Sequence, residues 1–95
     1  MIRYASSKRD SNHILIVGCL EKLGATVLDL SGQGGNVPDI AVGFRGTTYL
    51  AEIKSGKKKL RPGQVALKLW WRGSKVYVLR DELDCMAMLC KQGKP

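Results

Sequence analysis

Asp39, Glu52 and Lys54 stand in one stretch, "VPDIAVGFRGTTYLAEIK", residues 37–54. It reads as two short strands joined by a tight turn with Arg45 and Gly46 at the tip, where Gly46 supplies the positive φ. Counting outward, Phe44 faces Thr47, Val42 faces Tyr49, Ile40 faces Ala51 and Asp39 faces Glu52. Ile40, Val42 and Phe44 then share a face with Tyr49 and Ala51, while Asp39, Ala41 and Gly43 share the other with Leu50, Glu52 and Lys54. Two carboxylates are thus expected directly opposite each other, with Cβ atoms about 5 Å apart. Like charges so placed are destabilising unless a cation sits between them.

Lys54 lies about 6.5 Å beyond Glu52 on the same face and supplies part of that charge. A divalent cation would supply the rest. Mg²⁺ is typically held by one or two carboxylates, with water and a substrate phosphate completing its shell. Lys54 would then orient an attacking water or meet the charge of a phosphoryl transition state. The competing reading is a solvated salt bridge at a sheet end, a common and weak arrangement. Three neighbours favour the metal site. The glycine-rich loop "SGQGGN", 31–36, runs into Asp39 and lets a backbone come close. The basic run Lys57, Lys58, Lys59 and Arg61 follows Lys54, and Gln64 opens the next helix.

The remaining chain must hold this hairpin. Residues 11–23 predict a helix, capped by Asp10 or Ser11 and ended by Gly24, with Ile16, Val17, Leu20 and Leu23 facing the core. Residues 25–30 predict a strand. Pro62 suits the first turn of a helix running to about Arg72, stopped by Gly73. Residues 75–80 predict a strand, and Asp81 caps a last helix to about Cys90 with Leu83, Met86 and Ala87 on its apolar side. The order αβββαβα implies an α/β sandwich on a mixed sheet: a meander of three strands, then a fourth parallel to a neighbour after a helical crossover.

Ninety-five residues make one domain, 1–95, with one modest core. The net charge of +8 favours a polyanionic partner, most plausibly nucleic acid. Three cysteines, with no CxxC pair and one histidine, argue against a disulfide framework and a zinc cluster. Reduced thiols in a cytosolic protein are expected. The first thirteen residues are too polar for a signal peptide, and no apolar run suits a membrane span. "KQGKP" reads as a frayed end. "GQGG" lacks the ending of a P-loop, so no nucleotide cofactor is expected. No Ser-His-Asp arrangement is supported. Trp70 and Trp71 suit base stacking or a dimer interface; one in the core and one partly covered is the favoured reading.

The residues resemble a known family. Pro38-Asp39, a hairpin, and Glu52-Ile53-Lys54 look like the PD-(D/E)xK nucleases. Within them the chain is most similar to the VRR-NUC domain, through "KRDSN", "GG…PDIAVGFRGTTYLAEIKSG", "LRPGQVALKLWWRG" and "VYVLRDELDCM". These matches span nearly the whole chain in order. Archaeal Holliday junction resolvases are more distantly similar. The resemblance implies a restriction-endonuclease-like core and hydrolysis of DNA phosphodiesters with Mg²⁺ or Mn²⁺. Asp39 and Glu52 would hold the metal, the Ile53 carbonyl adding a ligand, with Lys54 catalytic. Gln64 would position the metal site or the strand, and Ser31 would touch the scissile phosphate. Stand-alone viral members act as homodimers on branched DNA, which implies a homodimer, a phage or prophage origin and a bacterial cytoplasm.

In one respect the chain departs from the family: His13 stands where a helix glutamate is usual. His13 shares the inward face with Ile16, Val17 and Leu20. It is either a softer ligand, suited to Mn²⁺ rather than Mg²⁺, or a core histidine with its hydrogen bond satisfied. Glu21 reads as a solvated helix residue. Lys57, Lys58, Lys59, Arg61 and Lys68 are the expected DNA contacts. The expected function is structure-selective cleavage of branched DNA. The alternative is a DNA-binding module that kept the fold and lost the chemistry.

Overall fold

The order of strands follows from how the chain can turn. The computed structural model describes residues 11–33 and 35–90, so Asp10 as a cap, the first three residues of "KRDSN" and the "KQGKP" end lie outside the described residues. The sheet runs β1 (Thr26–Asp29), β2 (Ile40–Phe44), β3 (Thr47–Ile53), β4 (Val76–Leu79), in that spatial order. The first three pair antiparallel, and β4 lies parallel to β3. Helix α1 (Ser11–Lys22) precedes the sheet, α2 (Pro62–Trp70) makes the crossover from β3 to β4, and α3 (Glu82–Cys90) closes the chain. The αβββαβα order and the mixed sheet stand as expected.

The hairpin register is the expected one, with Phe44 opposite Thr47, Val42 opposite Tyr49 and Ile40 opposite Ala51. Both tip residues carry positive φ, Arg45 at 51° and Gly46 at 80°. That is the turn whose twist matches the strands, and the arginine takes a backbone region usually left to glycine. Its guanidinium sits 5.1 Å over the Phe44 ring.

One sheet face carries Val27, Ile40, Val42, Tyr49 and Ala51, all buried, against Ile16, Val17 and Leu20 of α1 and Cys85, Met88 and Leu89 of α3. Gly24, at φ 99°, ends α1, and the Ala25 amide returns to the Leu20 carbonyl at 3.0 Å. Asp81 Oδ1 accepts the Asp84 amide at 3.0 Å, the cap expected for α3. The cysteines are free thiols, with Cys85 buried.

Three packing expectations are overturned. Leu23 is 39% exposed, because α1 ends before it and Gly24 turns the chain away. In α3 the buried residues are Cys85, Met88 and Leu89, whereas Leu83, Met86 and Ala87 are exposed. "ELDCMAMLC" is apolar on most sides, so its sequence does not fix which stripe turns inward. Neither tryptophan is core: Trp70 is 64% and Trp71 40% exposed.

The α3 phase is directly testable. Met88→Ala should destabilise by about 2–5 kcal/mol in urea unfolding. Leu83→Ala should stay within about 0.5 kcal/mol of the parent. Equal losses would refute the packing described.

Candidate active site

The site begins where the hairpin's ladder stops. One residue beyond the Ile40–Ala51 pair, Asp39 turns its Oδ2 to accept the Ile53 amide at 2.8 Å. Asp39 is thereby fixed beside Glu52. The loop that delivers it is pinned at its base, where the Leu30 amide donates to the Asp39 carbonyl at 2.8 Å.

Glu52 is 1% exposed. Its Oε1 accepts Gln64 Nε2 at 3.1 Å, while Oε2 is buried with no hydrogen-bond partner. Burial pushes this carboxyl up to about 7. The Asp39 carboxylate adds to the rise, both by its charge and by accepting the proton that a neutral Glu52 can donate. Lys54 and Arg61 pull the other way.

Gln64, itself 3% exposed, joins two elements. Its Oε1 accepts the Arg61 amide at 2.8 Å, completing half of a capping box, with Pro62 in the first turn of α2. Its Nε2 reaches Glu52. One side chain therefore seats the start of α2 and sets the Glu52 carboxylate.

A cavity of about 220 Å³ is lined by His13, Ser31, Asp39, Lys54, Arg61 and Gln64, together with Ile53; Glu52 does not line it and meets it through Gln64. These sequence-selected residues, drawn from α1, the 31–38 loop, the end of β3 and the start of α2, meet in one place. Ser31 turns its hydroxyl to Asp29 Oδ1 at 2.6 Å, and its amide donates to the same oxygen at 3.0 Å. His13 is buried and lines the cavity, on the helix face shared with Ile16, Val17 and Leu20. It does not join the carboxylates as a ligand set. Among the described residues, no three His, Cys, Asp or Glu side chains converge as a metal cluster. Glu21 is exposed.

Lys57, Lys58 and Lys59 are exposed on the connector after Lys54. Lys68 is elsewhere: it lines a separate cavity with Lys75, Tyr77 and Asp84.

Two residues that hold the site together went unremarked in the sequence. Asn12 Nδ2 donates to the Lys54 carbonyl at 2.8 Å and to the Arg80 carbonyl at 3.3 Å, tying α1 to the ends of β3 and β4. Arg80 Nη1 donates to the Gly56 and Lys58 carbonyls at 2.9 and 2.7 Å and so holds the basic connector. For Asn12 the only signal was a short amide beside the inward-facing His13; for Arg80 there was none.

Two carboxylates, one orphaned buried oxygen and a lysine at the rim suit a divalent cation with few protein ligands, as Mg²⁺ accepts. Without a cation, Glu52 should hold its proton in the folded state from about pH 4.5 to about 7 and lose it when unfolded. The folded state then binds more protons, so stability is greatest below that window and falls as pH rises through it, by on the order of 3 kcal/mol. Glu52→Gln should flatten this fall. Urea unfolding in chelator at each end of the window measures it, and parallel pH curves for the two proteins would refute the assignment.

No family model and no curated protein sequence matches the chain. Among solved structures, a VRR_NUC domain matches it with a TM-score of 0.62 and 25% identity, over 85% of this chain and 91% of that one. The likeness agrees with the ordered motifs that first suggested it. The chain thus has the fold of a VRR-NUC domain, and motifs and fold together support a function of the nuclease type.

Proposed function

We propose that the chain is a metal-dependent endodeoxyribonuclease that cuts branched DNA by hydrolysing phosphodiesters, and that it works as a homodimer. The observation that carries this reading is Glu52: a carboxylate 1% exposed, with one oxygen unpartnered, held by Gln64 and next to Asp39 and Lys54, whose side chains line the cavity with Gln64. A salt bridge at a sheet end would be solvated, and its cost of burial would be absent.

Asp39 and Glu52 would hold Mg²⁺ or Mn²⁺, with the Ile53 carbonyl as a further ligand. When bound, the cation lowers the pKa of the attacking water and offsets charge on the phosphoryl oxygens. The chain's own part is placement. The Ile53 amide holds Asp39, and Gln64 holds Glu52, so both carboxylates are set before substrate arrives. Lys54 projects from a backbone fixed at both ends: its amide donates to the Leu79 carbonyl at 3.1 Å, and its carbonyl accepts Asn12. Its ammonium serves the water or the phosphate oxygens. Ser31 lines the same cavity and is a candidate phosphate contact. His13 supports the wall.

A chain this short offers little surface for reading sequence, so branch shape is the natural determinant. One chain carries one such site, and paired cuts on two strands require two, which argues for a twofold dimer.

The test is cleavage of a labelled four-way junction beside a linear duplex, with Mg²⁺ and Mn²⁺ in parallel. Cutting should require metal and favour the junction. Glu52→Ala and Lys54→Ala should each lower the rate by at least about 10²-fold, an effect of the size seen when a transition-state contact is removed. Junction binding without cutting under either metal would instead establish the module that lost its chemistry.

The basic connector makes a separate prediction. Replacing Lys57, Lys58 and Lys59 together by alanine should reduce the slope of log affinity against log salt by roughly 3. An unchanged slope, read from anisotropy titrations at several salt concentrations, would mean that the three lysines are only a solvated turn.

A further inference from the structure

The two tryptophans lie side by side at the end of α2 and in the residue after it. Trp70 is 64% exposed and Trp71 40% exposed, and their rings meet edge to face with centroids 6.2 Å apart. The Trp71 indole lies so close over Gly73 that a Cβ at that position would collide with it, so this glycine lets the ring settle there. With Leu30, Pro38, Leu50 and Leu67 the pair lines an apolar groove of about 450 Å³. Aromatic surface presented this way marks a contact site.

The groove is lined by residues that neighbour the active site in the chain. Leu30 and Pro38 immediately precede Ser31 and Asp39, and Leu50 lies two residues before Glu52 on the same face of β3. Helix α2 spans the two, with Gln64 on Glu52 at one end and Trp70 six residues on. That is about 9 Å along the helix axis. A stacked strand advances about 3.4 Å per nucleotide. The groove therefore sits two or three nucleotides from a phosphate held over Glu52. The charge around it suits a polyanion: from Ile53 to Arg80 the chain has nine Lys and Arg residues and no Asp or Glu.

We propose that this groove receives an unpaired nucleobase of the strand held at the Asp39–Glu52 site, stacked on Trp70 with Trp71 as the supporting wall. A paired base cannot enter, since its faces are covered by the stack and its edge by its partner. An aromatic groove takes any exposed base, so it selects unpaired nucleotides and not a sequence. The proposal rests on the nuclease reading above and names the local DNA feature that the chain selects: nucleotides left unstacked at a branch.

The two tryptophans are the chain's only ones, so emission excited selectively at tryptophan, where tyrosine does not absorb, reports on this groove alone. In chelator, a short oligothymidylate should quench that emission strongly and a blunt duplex should not. Trp70→Ala should weaken binding of a labelled oligothymidylate about 5- to 100-fold, with the salt slope unchanged. Trp70→Phe should restore most of it, and a thermal melt should show both variants folded. Equal quenching by the duplex, or full affinity in Trp70→Ala, would overturn the proposal. So would sedimentation in which Trp70→Ala turns a dimer into a monomer with oligonucleotide affinity untouched, which would make the groove a contact between copies. No metal or cleavage enters this assay. Binding that depends on Trp70 in a chain that never cuts would sink the nuclease reading alone. Cutting without any dependence of binding on Trp70 would sink this proposal alone.

Discussion

A carboxylate withdrawn from water is the constraint around which this small domain is arranged. Ionising Glu52 at 1% exposure, beside Asp39, is unfavourable unless positive charge and hydrogen bonds are brought to it. The chain brings them from three directions. Gln64 comes from the start of α2, Lys54 from the end of β3 and Arg61 from the connector. Each arrives through an element whose placement depends on the sheet. The hairpin, the crossover helix and the parallel fourth strand can be understood as the framework that keeps these groups converging on a carboxyl whose ionisation burial opposes.

The two faces of the sheet have different tasks. The face under α1 and α3 is dry and closely packed, built on Ile40, Val42, Tyr49 and Ala51. The opposite face carries Leu50 and Glu52 under α2 and is only partly covered. Strand alternation makes this division possible, since neighbouring residues of β3 point to opposite sides. Ala51 supports the core while Glu52, its neighbour, serves the site.

Much of this was legible in the sequence, for a reason that can be stated residue by residue. The period of two in "DIAVGF" and "TTYLAEIK" and the Arg45-Gly46 tip fix a single register, and that register puts Asp39 at Glu52. What was not legible has the opposite character. The inward stripe of α3 is undetermined because nearly every turn of it is apolar. The tryptophans looked like core because large rings usually are, yet α2 is short and its end projects beyond the sheet's cover. Asn12 bonds to residues 42 and 68 positions away, and Arg80 to residues 24 and 22 away. Such partnerships leave no periodic trace. The same distances mean that the site is complete only when both ends of the described chain are in place, although its carboxylates lie close together in sequence.

The grip of Arg80 on the basic connector has a consequence for what that connector shows to its surroundings. In a trans peptide the N–H points away from the C=O of the same plane, and no peptide bond here is cis. The planes whose oxygens turn to Arg80, those of Gly56 and Lys58, contain the amide hydrogens of Lys57 and Lys59. Those two hydrogens are therefore directed away from the guanidinium. By absorbing the acceptors of this segment, an arginine at the end of β4 leaves its outer side lined with donors, so that the backbone has the same polarity as the lysines it carries.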